Sequence, residues 1–311
     1  MSPVSLSGKE GFFYDHPLMK AVKLLLFLCL LSLSIIQPSL EAARRSASSQ
    51  PFVTASLAGQ LGNQCFILAA AVSLALDNGA LAVFPDLSSK TSYGIPLNHQ
   101  KIFHRLHSYP LPEKMVKYHY HEPRFPYAPI PYQPDMKLHG YFQSEQYFRE
   151  HKDEILALFA PSEQIKSHLE MYYSTILEHP CSVAIHMRSY LAEDPQQRYY
   201  PNYARKYYER AASFFPEDAL FVVFSNDMPR CKSLLKGLAK EMLFIEGEPY
   251  YHDFYLMSMC KHQIIANSTF SWWAAYLNPN PDKLVIAPQL WGYKFNAKDL
   301  IPPEWTVLNA N

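Results

Sequence analysis

The sequence predicts an α/β fold with two parallel sheets, each covered by helices. Two observations carry this prediction. From residue 180 onward, short apolar runs of strand length alternate with longer helical patterns. Near the start of the folded part, an apolar run leads through a glycine-containing turn into an alanine-rich helix and then a second apolar run. This order opens a doubly wound domain, so we expect two Rossmann-like domains that face each other across a cleft.

Length and composition restrict the class of protein. The chain has 311 residues, enough to bury one large core or two smaller ones. Its apolar fraction of 49% excludes a wholly disordered chain. The formal net charge is zero and the sequence has no long basic block, so nucleic acid is not expected as a partner. The five cysteines form no Cys-x-x-Cys pair, and neither a zinc site nor a disulfide framework is predicted.

The N-terminal region differs from the rest of the chain. Lys20 and Lys23 precede an apolar run over 24–36, which is short for a membrane span and typical of the central region of a signal peptide. A start at Met19 would give the basic-then-apolar order of such a peptide. The polar stretch Arg44–Gln50 separates the run from the folded part. We expect a segment that directs the chain to a membrane or the secretory pathway, as a cleaved signal or a single-pass anchor.

The folded part is expected to begin at a strand over Phe52–Leu57. The turn Ala58–Gln64 follows, and then a helix over Cys65–Leu76. Glycines at positions 59 and 62 let the backbone turn sharply and leave amides at the helix N-terminus free for an anion or a hydroxyl. The spacing Gly-x-x-Gly is not the dinucleotide-binding fingerprint, which reads Gly-x-Gly-x-x-Gly.

The stretch 96–134 is rich in proline, tyrosine and histidine and shows no sustained periodicity. Long irregular segments of compact domains are usually binding loops or surface excursions. The aromatic side chains would either stack on a carbohydrate acceptor or hold the loop against the core. Strand and helix patterns resume at Met136 and continue to a boundary near His179-Pro180. We therefore divide the chain into an N-terminal segment 1–50, a first domain 51–179 and a second domain 180–311.

Polar residues follow three predicted strands of the second domain where each strand ends. Because carboxyl ends of parallel strands meet at one sheet edge, these residues should lie together where open α/β sheets bind ligands. Arginine suits a phosphate there, since its planar guanidinium stays charged and donates paired hydrogen bonds. An ion pair for the arginine, or helix capping for the others, would explain any one cluster equally well. The clusters are His186 with Arg188, Ser225-Asn226-Asp227 and Asn267-Ser268-Thr269.

Five sequence blocks occur in an order that resembles the α-1,2-fucosyltransferases of glycosyltransferase family 11. The blocks are Gly59–Gln64, His139–Phe148, His186–Arg188, Phe224–Asp227 and Ile264–Trp273. The resemblance implies a GT-B-type fold, GDP-β-L-fucose as donor and a galactose-containing glycan as acceptor. It also implies inverting transfer of fucose to a galactose 2-hydroxyl. The sequence contains no Asp-x-Asp motif, which fits chemistry without a metal ion or other cofactor.

The resemblance also implies roles for individual residues. Arg188 would offset the charge that develops on the leaving diphosphate, and His186 would support it by hydrogen bonding. Asn63 would approach the donor or the reacting hydroxyl. The expected catalytic residues are therefore Arg188, His186 and Asn63, and the expected donor-binding residues are Gly59, Gly62, Asn63, Gln64, His186, Arg188, Ser225, Asn226, Asp227, Asn267, Ser268, Thr269 and Ser271.

The chain departs from the family directly after its arginine. Family members often read His-x-Arg-x-Gly-Asp, whereas here Arg188 is followed by Ser-Tyr-Leu. The nearest acids are Glu193 and Asp194, and either would take the acidic role through a longer loop. The general base that accepts the proton of the acceptor hydroxyl is open between these two and Asp227.

The missing acid motivates a second hypothesis, a nucleotide- or carbohydrate-binding protein without catalysis. A third is fucosyl transfer to another sugar or to a protein hydroxyl, because the aromatic stretch carries no readable acceptor code. The sequence does not indicate an oligomeric state.

Overall fold

The computed structural model describes residues 50–191, 193, 195, 198–239 and 241–309. From Pro51 onward the chain forms one compact unit that contains two parallel sheets. The predicted membrane-targeting segment lies outside the described residues. Within the part that is described, no helix has both the length and the apolar character needed to cross a membrane.

The first sheet consists of four parallel strands. These strands are β1 (Phe52–Ala55), β2 (Leu81–Ala82), β3 (Tyr118–His121) and β4 (Met136–His139). Their order across the sheet is β2-β1-β4-β3. The chain runs from β1 to β2 on one side of β1, whereas β4 and β3 lie on its other side, so the switch point of the sheet lies between β1 and β4. The carboxyl ends of these two strands therefore border the crevice in which such sheets bind ligands.

Five helices belong to this half of the chain: α1 (Leu61–Asp77), α2 (Asp86–Ser89), α3 (Ile95–Lys101), α4 (Lys152–Leu158) and α5 (Glu163–Glu178). Short 3₁₀ turns cover Ser92–Gly94, Glu113–Met115, Glu145–Tyr147 and Arg149–His151. Helix α1 begins before the predicted Cys65, so Gly62, Asn63 and Gln64 lie in its first turn. Helix α5 begins where predicted, and the Ser162 hydroxyl accepts a hydrogen bond from the Ile165 amide at 3.3 Å.

The prediction of an irregular stretch over 96–134 is wrong in part. This stretch contains most of α3 and the whole of β3. Strand β3 is the edge strand of its sheet, and three of its four residues are exposed. Because β3 is largely exposed to solvent, apolar and polar residues do not have to alternate along it. Its Tyr-His-Tyr-His sequence therefore lacks the pattern that marks a half-buried strand.

The second sheet has six parallel strands and confirms the predicted alternation of strand and helix. The strands are β5 (Ser182–Met187), β6 (Leu220–Ser225), β7 (Glu241–Phe244), β8 (His262–Ile264), β9 (Val285–Pro288) and β10 (Thr306–Leu308). The helices are α6 (Arg205–Ala212), α7 (Met228–Leu235), α8 (Tyr250–Met259) and α9 (Thr269–Leu277). The strand order β10-β9-β8-β5-β6-β7 is the Rossmann order 3-2-1-4-5-6 read from the other side. Its switch point lies between β5 and β8, and predicted site residues stand at or after the ends of both strands and of β6.

The two sheets share one apolar core, which contains Val53 of β1 as well as Val222 of β6. The core is continuous at the contact between α1 and α9. The ring of Phe66 lies 4.4 Å from that of Trp272 and 5.1 Å from that of Trp273, centroid to centroid. The domain boundary predicted near residues 179–180 falls in the connection from α5 to β5, between the two sheets along the chain.

Candidate active site

The N-termini of α1 and α9 meet at the junction of the two sheets. A Cβ atom on Gly62 would lie 2.4 Å from the carbonyl carbon of Thr269 and 2.6 Å from the amide nitrogen of Phe270. Only glycine therefore allows this approach. Neither N-cap residue, Gln60 or Ser268, supplies a side-chain cap. Uncapped first-turn amides carry partial positive charge, so the junction favours an anion.

Asn63 connects the two halves of this junction. Its Oδ1 accepts hydrogen bonds from Gln143 Nε2 at 2.9 Å and from Thr269 Oγ1 at 3.0 Å. Two predicted site residues, Asn63 and Thr269, are thus in direct contact. Gln143 was missed as a site residue although it lies inside one of the family blocks. With Oδ1 engaged, the Nδ2 group of Asn63 is the donor that remains for a ligand.

Gln64 holds the turn that presents Asn63. Its side chain is completely buried, donates to the Gly59 carbonyl at 2.8 Å and accepts from Asn98 Nδ2 at 2.8 Å. The Tyr250 hydroxyl donates to Asn98 Oδ1 and so ties this relay to α8. Gly59 has φ +67°, which favours glycine. The structure thus gives Gln64 and Gly59 a part in shaping the turn.

His186 is a neutral group at the end of β5. It is 6% exposed, and its ring lies 5.7 Å from that of Phe270 in the first turn of α9. Burial, with a smaller contribution from the charge of Arg188, lowers the pKa of His186 to about 3. The imidazole is therefore uncharged at neutral pH. Its Nδ1 is buried and has no hydrogen-bond partner among the described residues.

Arg188 is the first residue after β5 and stands two positions after His186. Its guanidinium carbon is 5.3 Å from the centre of the Tyr190 ring, in cation–π contact. In the described part of the chain, no carboxylate forms an ion pair with it. The alternative interpretation, in which Arg188 only forms an ion pair with a nearby acid, therefore has no support among the described residues. The Tyr190 ring is backed by Tyr200, which stacks on it at 5.0 Å and 13°.

Two asparagines fix the chain directly after Arg188. Asn226 accepts from the amide and donates to the carbonyl of Ser189, both at 2.8 Å. Asn202 makes the same pair of bonds to Tyr190, again at 2.8 Å. Each asparagine side chain thereby bonds both the N–H and the C=O of one residue, as the backbone of a neighbouring strand does. This segment is held without the Gly-Asp sequence of the family.

Comparison with known proteins identifies the family of this chain. The sequence model of glycosyl transferase family 11 matches residues 23–309. The chain belongs to glycosyltransferase family 11. An α-1,2-colitosyltransferase of Escherichia coli is 31% identical over 176 residues, covering 53% of this chain and 60% of that protein. Galactoside α-(1,2)-fucosyltransferase 2 of Oryctolagus cuniculus is 27% identical over 283 residues, covering 83% of this chain and 77% of that protein.

A solved structure is also similar to this family 11 chain. It is a crystal structure of the α-1,6-fucosyltransferase NodZ soaked with GDP-fucose, and the similarity has a TM-score of 0.48 at 13% identity. It covers 74% of this chain and 94% of the NodZ chain.

The other predicted site residues of this family 11 protein have partners within the fold. Asp227 accepts from the Arg230 amide at 3.2 Å and caps α7, and the Ser225 hydroxyl accepts from the Asp227 amide at 3.0 Å. The Ser271 hydroxyl donates to the Ser268 carbonyl at 3.2 Å. Asn267 is buried and donates to two carbonyls, those of Pro201 at 3.1 Å and Trp291 at 3.2 Å. These contacts shape the sheet edge.

The two acids after Arg188 remain candidates only. Glu193 is exposed, and Asp194 lies outside the described residues. Asn202 was missed entirely, because a single asparagine between a proline and a tyrosine has no spacing that marks a site. Arg188 follows His186 by two residues, and the His186 ring contacts Phe270 in the uncapped first turn of α9. An arginine and a helix N-terminus are both groups that suit a phosphate.

Proposed function

We propose that this protein transfers L-fucose from GDP-β-L-fucose to the 2-hydroxyl of a galactose-containing glycan, with inversion at the anomeric carbon. The observation that carries the proposal is Arg188 at the switch point of the second sheet. Its guanidinium rests on an aromatic ring and has no carboxylate partner among the described residues. Two residues before it, the His186 ring contacts Phe270 in the uncapped first turn of α9. Family membership and the similarity to a galactoside α-(1,2)-fucosyltransferase support the same function.

In this reaction the bond between fucose C1 and the β-phosphate oxygen breaks, and its electron pair leaves with GDP. Arg188 and the first amides of α9 stabilise the charge that develops on the diphosphate. The galactose 2-hydroxyl attacks C1 from the opposite face and loses its proton to a base. We keep Asp227, Glu193 and Asp194 as candidates for that base. Asn63 Nδ2 is placed to orient the sugar or the attacking hydroxyl.

A GT-B-type arrangement is part of this proposal. It is supported by two parallel sheets whose switch points both lead into the α1–α9 junction. In such an arrangement the second sheet would hold the nucleotide and the first sheet the acceptor.

The functional assay uses the full-length protein with GDP-fucose and a panel of galactosides, and the linkage of the product is read by NMR. We expect GDP release that depends on the galactoside and an α-1,2 linkage. Binding of GDP without turnover would support the non-catalytic hypothesis instead. Transfer to a non-galactoside sugar or a protein hydroxyl would support the third hypothesis. The absence of transfer, of GDP binding and of glycan binding would contradict all three.

A second donor is favoured by the match to an α-1,2-colitosyltransferase. Colitose is fucose without its 3-hydroxyl, so a donor pocket with a hydrogen-bond partner for that hydroxyl would favour fucose. The same assay with the GDP derivative of colitose distinguishes the donors by the ratio of kcat/KM.

We further propose that the segment 19–43 directs the chain to a membrane or secretory compartment in which the nucleotide sugar is available. Fractionation of the full-length protein beside a variant without residues 1–45 tests this proposal. Equal distribution of the two proteins between membrane and supernatant would contradict it.

A further inference from the structure

The turn directly after β4, residues 140–142, has an unusual backbone. Phe142 is completely buried and has φ +52°, a left-handed conformation that L residues other than glycine rarely adopt. A Cβ atom on Gly140 would lie 2.4 Å from the Cβ of Glu122. Such backbone persists only where the surrounding structure enforces it, and it is concentrated at functional sites.

Glu122, which follows β3, enforces this turn. Its carboxylate accepts a hydrogen bond from the Tyr141 amide at 2.7 Å and from the Phe142 amide at 3.1 Å. The group is partly buried, and burial raises its pKa against the opposing effect of these two bonds. A carboxylate thus gives up hydration to fix two consecutive peptide units.

The fixed turn sets the position of the residues on either side of it. Gln143 reaches Asn63 at the α1–α9 junction. Tyr141 keeps 43% of its surface exposed although the residue after it is fully buried. Burial raises the pKa of the Tyr200 phenol, and the Tyr141 phenol adds a smaller contribution in the same direction. Tyr200 stacks on Tyr190, which supports Arg188. An exposed tyrosine therefore stands on a fixed backbone, two residues before the side chain that reaches Asn63.

We propose that Tyr141 is the platform on which the galactose ring of the acceptor stacks. The proposal rests on the function proposed above. A β-galactoside presents C3–H, C4–H and C5–H on one face, an apolar patch that fits an aromatic ring, while its hydroxyl groups point elsewhere. A ring fixed by Glu122 and Phe142 would hold the sugar at a set distance from Asn63 and Arg188, so that the 2-hydroxyl meets the donor. Single exposed aromatics are common on proteins, but the enforced turn distinguishes this one.

Saturation-transfer NMR on the full-length protein with GDP and methyl β-D-galactoside tests the platform without requiring turnover. We expect the strongest saturation on H3, H4 and H5 of galactose. Tyr141→Ala should weaken this signal about fivefold, the scale of one aromatic contact, and Tyr141→Phe should retain it. Tyr172→Ala is the matched control, because Tyr172 is a 65% exposed tyrosine on α5 outside the proposed platform.

Kinetics give an independent reading. Tyr141→Ala should raise the KM for the galactoside about fivefold to tenfold and leave the KM for GDP-fucose within about twofold. The platform would be overturned if Tyr141→Ala left the galactoside KM and the saturation pattern unchanged. It would also be overturned if Tyr172→Ala weakened galactoside binding equally, or if the wild type showed no saturation of the galactoside. Failure of the proposed function has a different signature, namely wild-type protein that binds the galactoside but releases no GDP from GDP-fucose.

Discussion

The guanidinium of Arg188 rests on the ring of Tyr190. The next two residues, Ser189 and Tyr190, have their backbone amides bonded to Asn226 and Asn202. A carboxylate at this position would compete with the diphosphate for the same donors. An aromatic ring orients the guanidinium through its face and leaves the N–H groups in the plane of the guanidinium for the ligand. The loss of the family acid is thus compatible with phosphate binding.

Removal of the guanidinium tests this role directly. Arg188→Ala should lower kcat by at least about a hundredfold, the scale of losing one donor that stabilises developing negative charge. Arg188→Lys should recover only part of the loss, because an ammonium does not form the paired hydrogen bonds. Steady-state kinetics with GDP-fucose measure both variants. Near-normal turnover of Arg188→Ala would assign the diphosphate to other groups.

The support from Tyr190 can be divided into ring and hydroxyl. The hydroxyl donates to the Asn267 carbonyl at 3.0 Å, and so links the ends of β5 and β8. Tyr190→Leu removes both contacts and should lower kcat/KM for GDP-fucose about tenfold, whereas Tyr190→Phe keeps the ring and should lose less. Equal losses in the two variants would mean that the hydroxyl, rather than the ring, positions Arg188.

His186 should not contribute an ionisation to the pH profile in the neutral range. Because burial lowers its pKa to about 3, the ring is already neutral at pH 5 and stays neutral at higher pH. We expect profiles of kcat/KM between pH 5 and 9 to have the same apparent pKa values in wild type and His186→Gln, with a uniform loss of rate in the variant. A limb that disappears in His186→Gln would contradict the neutral assignment.

At the scale of elements, the site depends on how closely α1 and α9 approach each other. Gly62→Ala places a methyl group against the Thr269 backbone, which cannot move like a flexible side chain. The preference of helices for alanine would otherwise add about 1 kcal/mol of stability. We instead expect the free energy of unfolding to fall by about 2 kcal/mol, a typical overpacking cost, as measured in urea. Leu76→Ala, at a 45% exposed position of the same helix, is the control and should change stability far less.

The elements that bury an apolar face could be predicted from the sequence. Elements without a buried apolar face could not be predicted in this way. The second sheet is covered on both faces, and the fully buried strand Ser182–Met187 was recognised from its apolar run. Strand β3 was missed because it lies at a wet edge. The early start of α1 was missed because a glycine-containing turn resembles a loop, although Gly62 is required there by the contact with α9.

The same limit applies to the site. The positions of Arg188 and Asn63 at a strand end and a helix start could be predicted from the sequence pattern and the family blocks, and their roles in the site stay a prediction. Asn202 and Gln143 could not, since their roles arise from contacts between segments that are far apart in sequence. Contacts of this kind depend on the packing of the two sheets, which no local pattern contains.

At the scale of the whole molecule, the first turn of α8 couples stability to pH. Asp253 lies there, and its Oδ1 is buried without a hydrogen-bond partner among the described residues. Burial, together with the charge of the nearby Glu248, raises the pKa of Asp253 from 3.8 to about 7. Between these two values the folded protein binds a proton that the unfolded chain has released. The contribution of Asp253 to stability is therefore greatest at acidic pH and is lost as the pH rises through about 7.

Asp253→Asn should remove this dependence, because the amide stays neutral at every pH. Relative to Asp253→Asn, the wild type should lose on the order of 2 kcal/mol of unfolding free energy between pH 4 and pH 8, a figure reduced from the full shift because the residue is partly exposed. Urea denaturation of both proteins at the two pH values measures the difference. Asp153→Asn changes an acid at the start of α4 and is the control, for which we expect the same pH dependence as in the wild type. Parallel stability curves for the wild type and Asp253→Asn would show that the carboxylate is already ionised in the folded protein at pH 4, and that solvent compensates its burial.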